Sequence, residues 1–446
     1  MEAKNKNMAS SVFIETYGCQ MNKYDSELVA GILHEHGYHI TEYFEDADII
    51  LVNTCSVRNH AEQRVLGRLQ VLRHWKNSPN KKIGVIGCMA QRMGSSLFDH
   101  NPDIDFILGP DAYRDLPQIL TGSGQYAARL DFNTHETYDG IYAYRKNSVS
   151  GWITVMRGCN NFCSYCIVPY TRGRERSRSV ESISREITNM TEQGFREITL
   201  LGQNVNSYQY EDNDFPELLI HICRIPGIKR IRFMTSHPKD LSDRLIQTIA
   251  EQKKICSHIH LPVQSGSNRI LNEMNRRYTR EQYLDLIHNI RKTIPGVAVS
   301  SDVMVGFPGE SETDFQDTIR LLTEVQFDEA FTYYYSPREG TKAAAMPEML
   351  TEKEKKERLN AIINIQKKIT IKKKQEYIGT TAEVLAETES RKSKNEWMGK
   401  TDTNHVVIFP KMKIRKGEIV PIRITECAGA TLRGECKEAM ASLLTP

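Results

Sequence analysis

Hydrophobic positions in this chain fall into short runs separated by longer stretches with helical spacing, and that alternation sets the expected architecture. In the first third, residues 12–17 form a short apolar run, 24–36 carry apolar positions at helical spacing up to Gly37, and 48–52 form a second buried-type run. A long amphipathic helix follows over 57–75, and 82–86 and 103–108 read as further strands, each followed by a turn and a helix. Strand–helix alternation of this kind predicts a parallel sheet with crossover helices.

The pattern continues through the centre. Strand-like segments at 152–155, 197–201, 230–234, 258–261, 297–305 and 327–335 are separated by helical stretches near 216–223, 241–252 and up to 292. About six such units predict a partial (β/α)6 barrel rather than the full eight, with chemistry at the carboxyl ends of the strands. Residues 351–374 read as a charged helix, most simply a solvated connector, and beyond Gly379 the spacing changes to short strands at 381–386, 397–400, 405–409, 418–424 and 431–435, the mark of a small all-β barrel. The fold class is therefore α/β multidomain, with expected domains at 1–145, 146–370 and 371–446.

Composition changes this picture little. The 446 residues are 39% hydrophobic and 26% charged, ordinary for a soluble globular protein. Residues 1–11 are polar, and no apolar run approaches the length of a membrane span, so a cytoplasmic protein without membrane attachment is expected. The net charge of +3 neither demands nor excludes nucleic acid. The ten cysteines do change it, because in a reducing compartment they point to metal or catalysis rather than to disulfides. Cys223, Cys256, Cys427 and Cys436 read as packing thiols; the other six form two sets.

The first set is Cys159, Cys163 and Cys166, a C-x3-C-x2-C run directly after a strand-like segment. Three thiolates in one tight loop suit an iron–sulfur cube with one iron left open. Zinc prefers a closed set of four, and no histidine lies near enough in sequence to complete one; three unrelated buried thiols are the other alternative. The second set is Cys19, Cys55 and Cys88, each just after a predicted strand of the first domain. A parallel sheet carries all of its strands' carboxyl ends to one edge, so these three thiols are expected at a common edge, as a second metal site or as small residues filling turns beside Gly18 and Gly87.

The C-x3-C-x2-C run resembles that of the radical S-adenosylmethionine superfamily. The resemblance implies a 4Fe-4S cluster on Cys159, Cys163 and Cys166, with the methionine end of S-adenosylmethionine on the open iron, Tyr165 near the adenine, and one-electron cleavage to a 5′-deoxyadenosyl radical. By position, Gln203, Asn204, Ser236, Gln264, Ser265, Ser301 and Asp302 resemble the superfamily's cofactor contacts, although each alone is equally consistent with a polar strand-end residue. The superfamily's second-strand motif usually ends in glutamate; Gly202-Gln203-Asn204 has none, which leaves the holder of the methionine ammonium open. His237 reads as a turn residue, and 305–310 as a strand-to-helix turn with Glu310 or Ser311 near the next N-cap.

The order of the parts resembles the radical methylthiotransferases over essentially the whole chain. In that family three N-terminal cysteines hold an auxiliary 4Fe-4S cluster, which here implies Cys19, Cys55 and Cys88, and the terminal barrel looks like a TRAM module, an RNA-binding appendage. The stretches 200–208 and 172–176 look like the tRNA branch. That branch implies addition of a methylthio group to C2 of N6-isopentenyladenosine beside the anticodon, one S-adenosylmethionine giving the methyl group and another the radical. It also implies the tRNA anticodon arm as partner, an electron donor such as flavodoxin or ferredoxin, and a sulfur donor. No catalytic side chain is expected, since an unactivated aromatic C–H has no acidity for a general base to exploit.

Arg172, Arg174, Arg176 and Arg178 sit at every second position; in an extended segment they would face one way and grip phosphate, the alternative being a solvated rim. Further basic residues, Arg391, Lys392, Lys394, Lys400, Lys411, Lys413, Arg415 and Lys416, fall in loops of the terminal barrel. Two other readings stay open: a methylthiotransferase acting on threonylcarbamoyladenosine or on a ribosomal protein side chain, and a non-enzymatic iron–sulfur RNA-binding protein.

Overall fold

The computed structural model describes residues 10–56, 59–76, 80–122, 127–145 and 148–436. It divides into two compact units: Met1–Lys146 with Met156–Phe162 and Cys166–Ser182, and the remainder. No helix among the described residues is long and apolar enough to cross a membrane.

The first unit is built on a parallel six-stranded sheet in the order His39–Ile40, Ser11–Tyr17, Ile49–Thr54, Lys82–Gly87, Phe106–Leu108, Ala127–Arg129. Ile50, Val52, Ile83 and Val85 of the central strands pack with Val65, Leu69 and Leu72 of the helix Asn59–Trp75. That helix's expected start at Val57 lies outside the described residues. The first helix, Gln20–Glu35, begins four residues before the apolar spacing suggests, because Asn22 accepts the Cys19 amide at 3.3 Å and closes the helix N-terminus from within. The two edge strands, of two and three residues, are too short to leave a periodic signal.

Six parallel strands of the second unit form two three-stranded sheets, Ser150–Thr154, Glu197–Leu201, Arg230–Phe233 and His258–His260, Ala298–Val305, Glu329–Tyr334. A single bridge between Ile231 and Ile255 links the first sheet to the approach of the second, which gives the expected open barrel. Each strand is two-faced. Ile231 and Phe233 turn outward, with Phe233 edge-on to Phe215 of the helix Phe215–Cys223, while Arg230, Arg232, Glu197 and Thr199 share the other, interior face. His258, His260, Ser300 and Asp302 hold the corresponding face of the second sheet. Ser311 caps the helix Glu312–Val325, whereas Glu310 accepts the Gly306 amide and pairs with Arg358.

Five strands, Thr381–Ser390, Ser393–Thr401, Val406–Pro410, Ile419–Ala428 and Thr431–Cys436, close the terminal barrel around Val384, Val407, Phe409, Ile422, Ile424 and Leu432. It plugs the amino-terminal end of the open barrel. The Arg230 fork donates to the carbonyls of Lys400 and Glu383 at 2.6 and 2.8 Å, and the Arg232 fork to those of Asp402 and Thr401 at 2.7 and 2.6 Å. The helix Glu352–Gln375 corrects the expectation of a solvated connector: Ile362 and Gln366 are buried against the last barrel strand, Lys373 pairs with Asp328, and Lys374 donates to the Ala430 carbonyl of the terminal barrel.

Arg232 also pairs with Glu197 at 3.0 Å, both nearly inaccessible to water. Removing one member of such a pair leaves a buried charge uncompensated, typically at about 3–5 kcal/mol. Arg232→Met should therefore lower unfolding free energy by about that amount in a denaturant titration, whereas Arg244→Met, whose ion pairs lie at the surface, should change it little.

Candidate functional site

The carboxyl ends of three adjacent strands in the first unit carry Cys19, Cys55 and Cys88. The ladders run in one register, Tyr17 opposite Thr54 and Thr54 opposite Gly87, so the three cysteines follow at the same level. A buried amide lock holds the turns together: Asn22 donates to Asn53 Oδ1 and to the Thr54 carbonyl, Asn53 donates back to the Asn22 carbonyl at 2.8 Å, and Thr54 donates to the Ile86 carbonyl. Gly18 is required by closeness, since a Cβ there would lie 2.3 Å from Asn22 Oδ1 and 2.8 Å from Cys55 Cβ. A hydrogen bond with Cys55 holds the Cys19 thiol down to about 6 against burial, with the Arg172 charge assisting. At Cys88 burial prevails and raises the thiol, although Arg172 Nε donates to its sulfur at 3.2 Å. Three cysteines at adjacent strand ends, one of them touched by a guanidinium, are by their chemistry a donor set that fits an iron–sulfur cluster.

Those contacts overturn the phosphate reading for three of the four arginines. Arg172 ends the helix Val168–Arg172 and points inward to Cys88 and to Asp25 at 2.6 Å. Arg176 pairs with Asp111 at 2.7 Å, and Arg178, buried, reaches Asp139, Tyr24 and Ser182. The segment is helix, turn and then a two-residue strand, Arg176–Ser177, so the spacing that would align the four side chains is never realised. Arg174 is the exposed member, lying over the Phe162 ring.

The C-x3-C-x2-C loop is shared between the two units, Cys159 and Cys166 belonging to the first and Cys163 to the second. In the first, Gly158 has φ +79°, and a Cβ there would lie 2.0 Å from the Arg174 carbonyl oxygen; the Cys159 amide donates to the Gly173 carbonyl at 3.1 Å. In the second, Ser164 is tied to the carbonyls of Met274 and Glu273, and Arg276 Nη1 lies 3.5 Å from Cys163 Sγ. Arg276 is buried, with Tyr278 and the Pro262 carbonyl as its other partners. Nothing in the sequence marks it, because Cys163 and Arg276 are 113 residues apart.

Of the expected cofactor contacts, five keep polar atoms or backbone at the strand ends. Gln203 Oε1, Asn204 Oδ1 and Ser236 Oγ are buried without a hydrogen-bond partner, a costly arrangement unless a polar ligand supplies one. The neighbouring His237 Nε2 is likewise buried and unpartnered, while Nδ1 accepts the Lys239 amide; burial holds this ring neutral. Gln264, at φ +71°, donates its amide to the Asp302 carbonyl, and Asp302 lies 3.7 Å from His260 on the interior face. Tyr165 packs beside Ile270, Met274, Phe307 and Tyr335. Ser265 and Ser301 are corrections. Ser301 Oγ accepts the Val263 amide and donates to the Leu261 carbonyl, Ser265 Oγ meets the Ser267 amide and Thr318, and both residues are fully buried. Strand alternation turns Ser301 away from Asp302.

The last barrel strand adds an unanticipated feature. Glu329–Tyr334 alternates exposed and half-buried positions, and its exposed Phe331 and Tyr333 are ladder partners of Asp302 and Met304. Phe331 stands edge-on to His260. Two aromatic rings therefore lie on the interior face at the open edge. The concentration of aromatic residues at 331 and 333–335 was the available signal.

An open six-stranded barrel with a cysteine loop after its first strand and unpartnered polar groups at its strand ends defines a radical S-adenosylmethionine enzyme scaffold. Family models match accordingly: the radical SAM superfamily over residues 153–322, the uncharacterized protein family UPF0004 over 11–109 and the TRAM domain over 375–437. A tRNA-2-methylthio-N(6)-dimethylallyladenosine synthase of Phocaeicola vulgatus is 45% identical, covering 97% of this chain and 96% of that protein. Its counterpart in Parabacteroides distasonis is 48% identical over 95% of each. The chain belongs to this tRNA-2-methylthio-N(6)-dimethylallyladenosine synthase family. The radical S-adenosylmethionine methyltransferase TsrM of Kitasatospora setae, solved with cobalamin and a 4Fe-4S cluster, has the same fold over 76% of this chain and 74% of its own, with a TM-score of 0.56 and 13% identity.

Iron should follow the glycines. Gly18→Ala is expected to lose the iron held through Cys19, Cys55 and Cys88 while keeping that of the cysteine loop, and Gly158→Ala to do the reverse. Iron and sulfide analysis of anaerobically purified variants checks this; full iron in Gly18→Ala would contradict the close approach as a condition of binding.

Proposed function

We propose that this chain adds a methylthio group to C2 of an N6-dimethylallyladenosine in tRNA. The observation that carries the reading is the gathering of Cys19, Cys55 and Cys88 at adjacent strand ends of a chain that also has the C-x3-C-x2-C loop. Hydrogen abstraction alone needs one cluster; a second thiolate trio gives sulfur a place to be held. When bound, two 4Fe-4S clusters and S-adenosylmethionine supply the electron, the hydrogen-abstracting radical, the methyl group and the site for sulfur.

The side chains bind, orient and exclude water. Cys159, Cys163 and Cys166 hold one cluster, with Arg276 donating toward Cys163, and Cys19, Cys55 and Cys88 hold the other. Gln203, Asn204 and Ser236 offer unpartnered polar atoms to the cofactor's polar ends, Gln264 and Asp302 border the same space, and Tyr165 lies beside its adenine. Phe331 and Tyr333 provide a flat apolar wall against which the target base and its N6 substituent stack once splayed from the anticodon loop. Arg174 and the exposed rim of Arg391, Lys392, Lys394, Lys413 and Arg415 contact the anticodon arm. Those rim loops adjoin, since the Lys411 amide donates to the Asn395 carbonyl. A protein reductant such as flavodoxin or ferredoxin and a sulfur donor complete the system, which works in the cytoplasm with its tRNA.

In a strain deleted for the gene, the wild-type chain should restore the methylthio nucleoside in digested tRNA, and Cys159→Ala should not. In vitro, Cys19→Ala should still form 5′-deoxyadenosine without the methylthio product. A methylthio product on ribosomal protein, with tRNA unchanged, would refute the reading.

Stacking of one base on one aromatic ring is worth about 1–3 kcal/mol, so Phe331→Ala or Tyr333→Ala should raise KM for tRNA by about 5- to 150-fold. Steady-state kinetics with isopentenylated tRNA measures this, and unchanged KM in both variants would remove the wall from the site.

A further inference from the structure

The arginine of the 172–178 segment nearest the three-cysteine edge sits in a charge arrangement that does not balance by itself. Arg172 Nη2 and Arg157 Nη2 each donate to one oxygen of Asp25, at 2.6 and 2.8 Å. The side chains of Arg172, Arg157 and Asp25 are 4%, 1% and 0% exposed, so two guanidiniums face one carboxylate out of contact with water. Burial alone would protonate Asp25, and the two cations outweigh it and keep it ionised. Arg157 gains some compensation from the Tyr138 ring, 4.6 Å from its guanidinium carbon. Arg176 is neutralised by Asp111 and adds nothing to the balance. One positive charge is left over, and Arg157 Nε, Arg157 Nη1 and Arg172 Nη1 are buried without an acceptor. Buried unpaired charge is strongly unfavourable, so an anion belongs beside it.

Among the described residues, the cysteine that Arg172 touches directly is Cys88, whose sulfur accepts from Nε at 3.2 Å. A 4Fe-4S core at its two-plus charge on three thiolates carries one net negative charge, the complement of the surplus. We infer that Arg172, oriented by Asp25 and Arg157, is a positioning residue that supplies the counter-charge and a hydrogen bond to the auxiliary cluster through Cys88. This inference rests on the proposed ligand role of Cys19, Cys55 and Cys88. Hydrogen bonds to cluster sulfurs and the net charge around them set reduction potential, so the arrangement favours the reduced cluster. It also explains why this arginine lies inside the fold while Arg174 lies outside: a cation here serves the cluster, and a cation there can serve RNA.

The test uses the full chain with Cys159, Cys163 and Cys166 all changed to Ala, reconstituted anaerobically with iron and sulfide, so that a single cluster remains. Its midpoint potential is read by redox titration with electron paramagnetic resonance of the reduced form. Arg172→Met should shift the potential more negative, Arg172→Lys less so because the charge persists without the fork, and Asp25→Asn more positive. If Arg172→Met holds no cluster, Arg172→Lys and Asp25→Asn decide between them: shifts of opposite sign uphold the inference, and potentials equal to the parent's overturn it. A role confined to folding would lower iron content in every variant without moving the potential of the cluster that remains, which also overturns it. No iron in the triple-alanine parent would instead refute the ligand assignment itself, a result separate from the others.

Discussion

The constraint on which the first unit depends is the common register of three parallel strands. Tyr17, Thr54 and Gly87 are level across the ladders, and the residues that follow leave the sheet together. Once the strands are level, three cysteines 36 and 33 positions apart in sequence need only short turns to meet. The asparagine pair seals the arrangement. Asn22 and Asn53 exchange hydrogen bonds in a fully buried site, where leaving either amide unmade would cost more than the bonds contribute in water. A slip of one residue in any strand would turn its cysteine to the other face of the sheet.

The second unit answers a different constraint, that an open barrel must not fill its own interior. Full barrels pack layers of branched side chains inward, whereas here the interior positions are Glu197, Thr199, Arg230, Arg232, His258, His260, Ser300 and Asp302. Such a lining stays hydrated or ligand-filled unless something plugs it. At the amino end the plug is the terminal barrel, whose carbonyls satisfy both arginine forks. Toward the other end the lining gives way to unpartnered polar atoms on Gln203, Asn204 and Ser236 and to the exposed rings of Phe331 and Tyr333. One end is closed by the chain's own groups, and the other is left for ligands.

Much of this was legible in the order of residues. The apolar runs located every long strand, the shift to short runs beyond Gly379 located the terminal barrel, and the placement of Cys19, Cys55 and Cys88 after strands followed from topology. What could not be read was anything joining residues distant in sequence through side chains. Arg276 beside Cys163, the carbonyls that meet Arg230 and Arg232, and the partners that occupy Ser265 and Ser301 all depend on packing that periodicity does not encode. The helix Glu352–Gln375 shows the same limit: its surface is charged enough to read as solvated, yet Gln366 and Lys374 are buried because they have specific carbonyl partners.

The arginine segment shows why local alternation is weak evidence for a charged surface. Equal spacing implies a common face only if the backbone stays extended, and Gly173, between a helix and a strand, ends that condition within two residues. On either side of the break, each guanidinium is placed by the carboxylate available to it: Asp25 for Arg172 before it, Asp111 for Arg176 and Asp139 for Arg178 after it. Ion pairs of this kind are seldom chosen for stability, since well-packed apolar residues would often serve as well. Their retention around Cys88 makes sense if charge is itself the requirement, because an iron–sulfur cluster placed in an uncharged apolar pocket would bring an anion into a medium that cannot solvate it. The sheet edge therefore brings together three cysteines and a buried positive charge, the two things that the proposed cluster would need there.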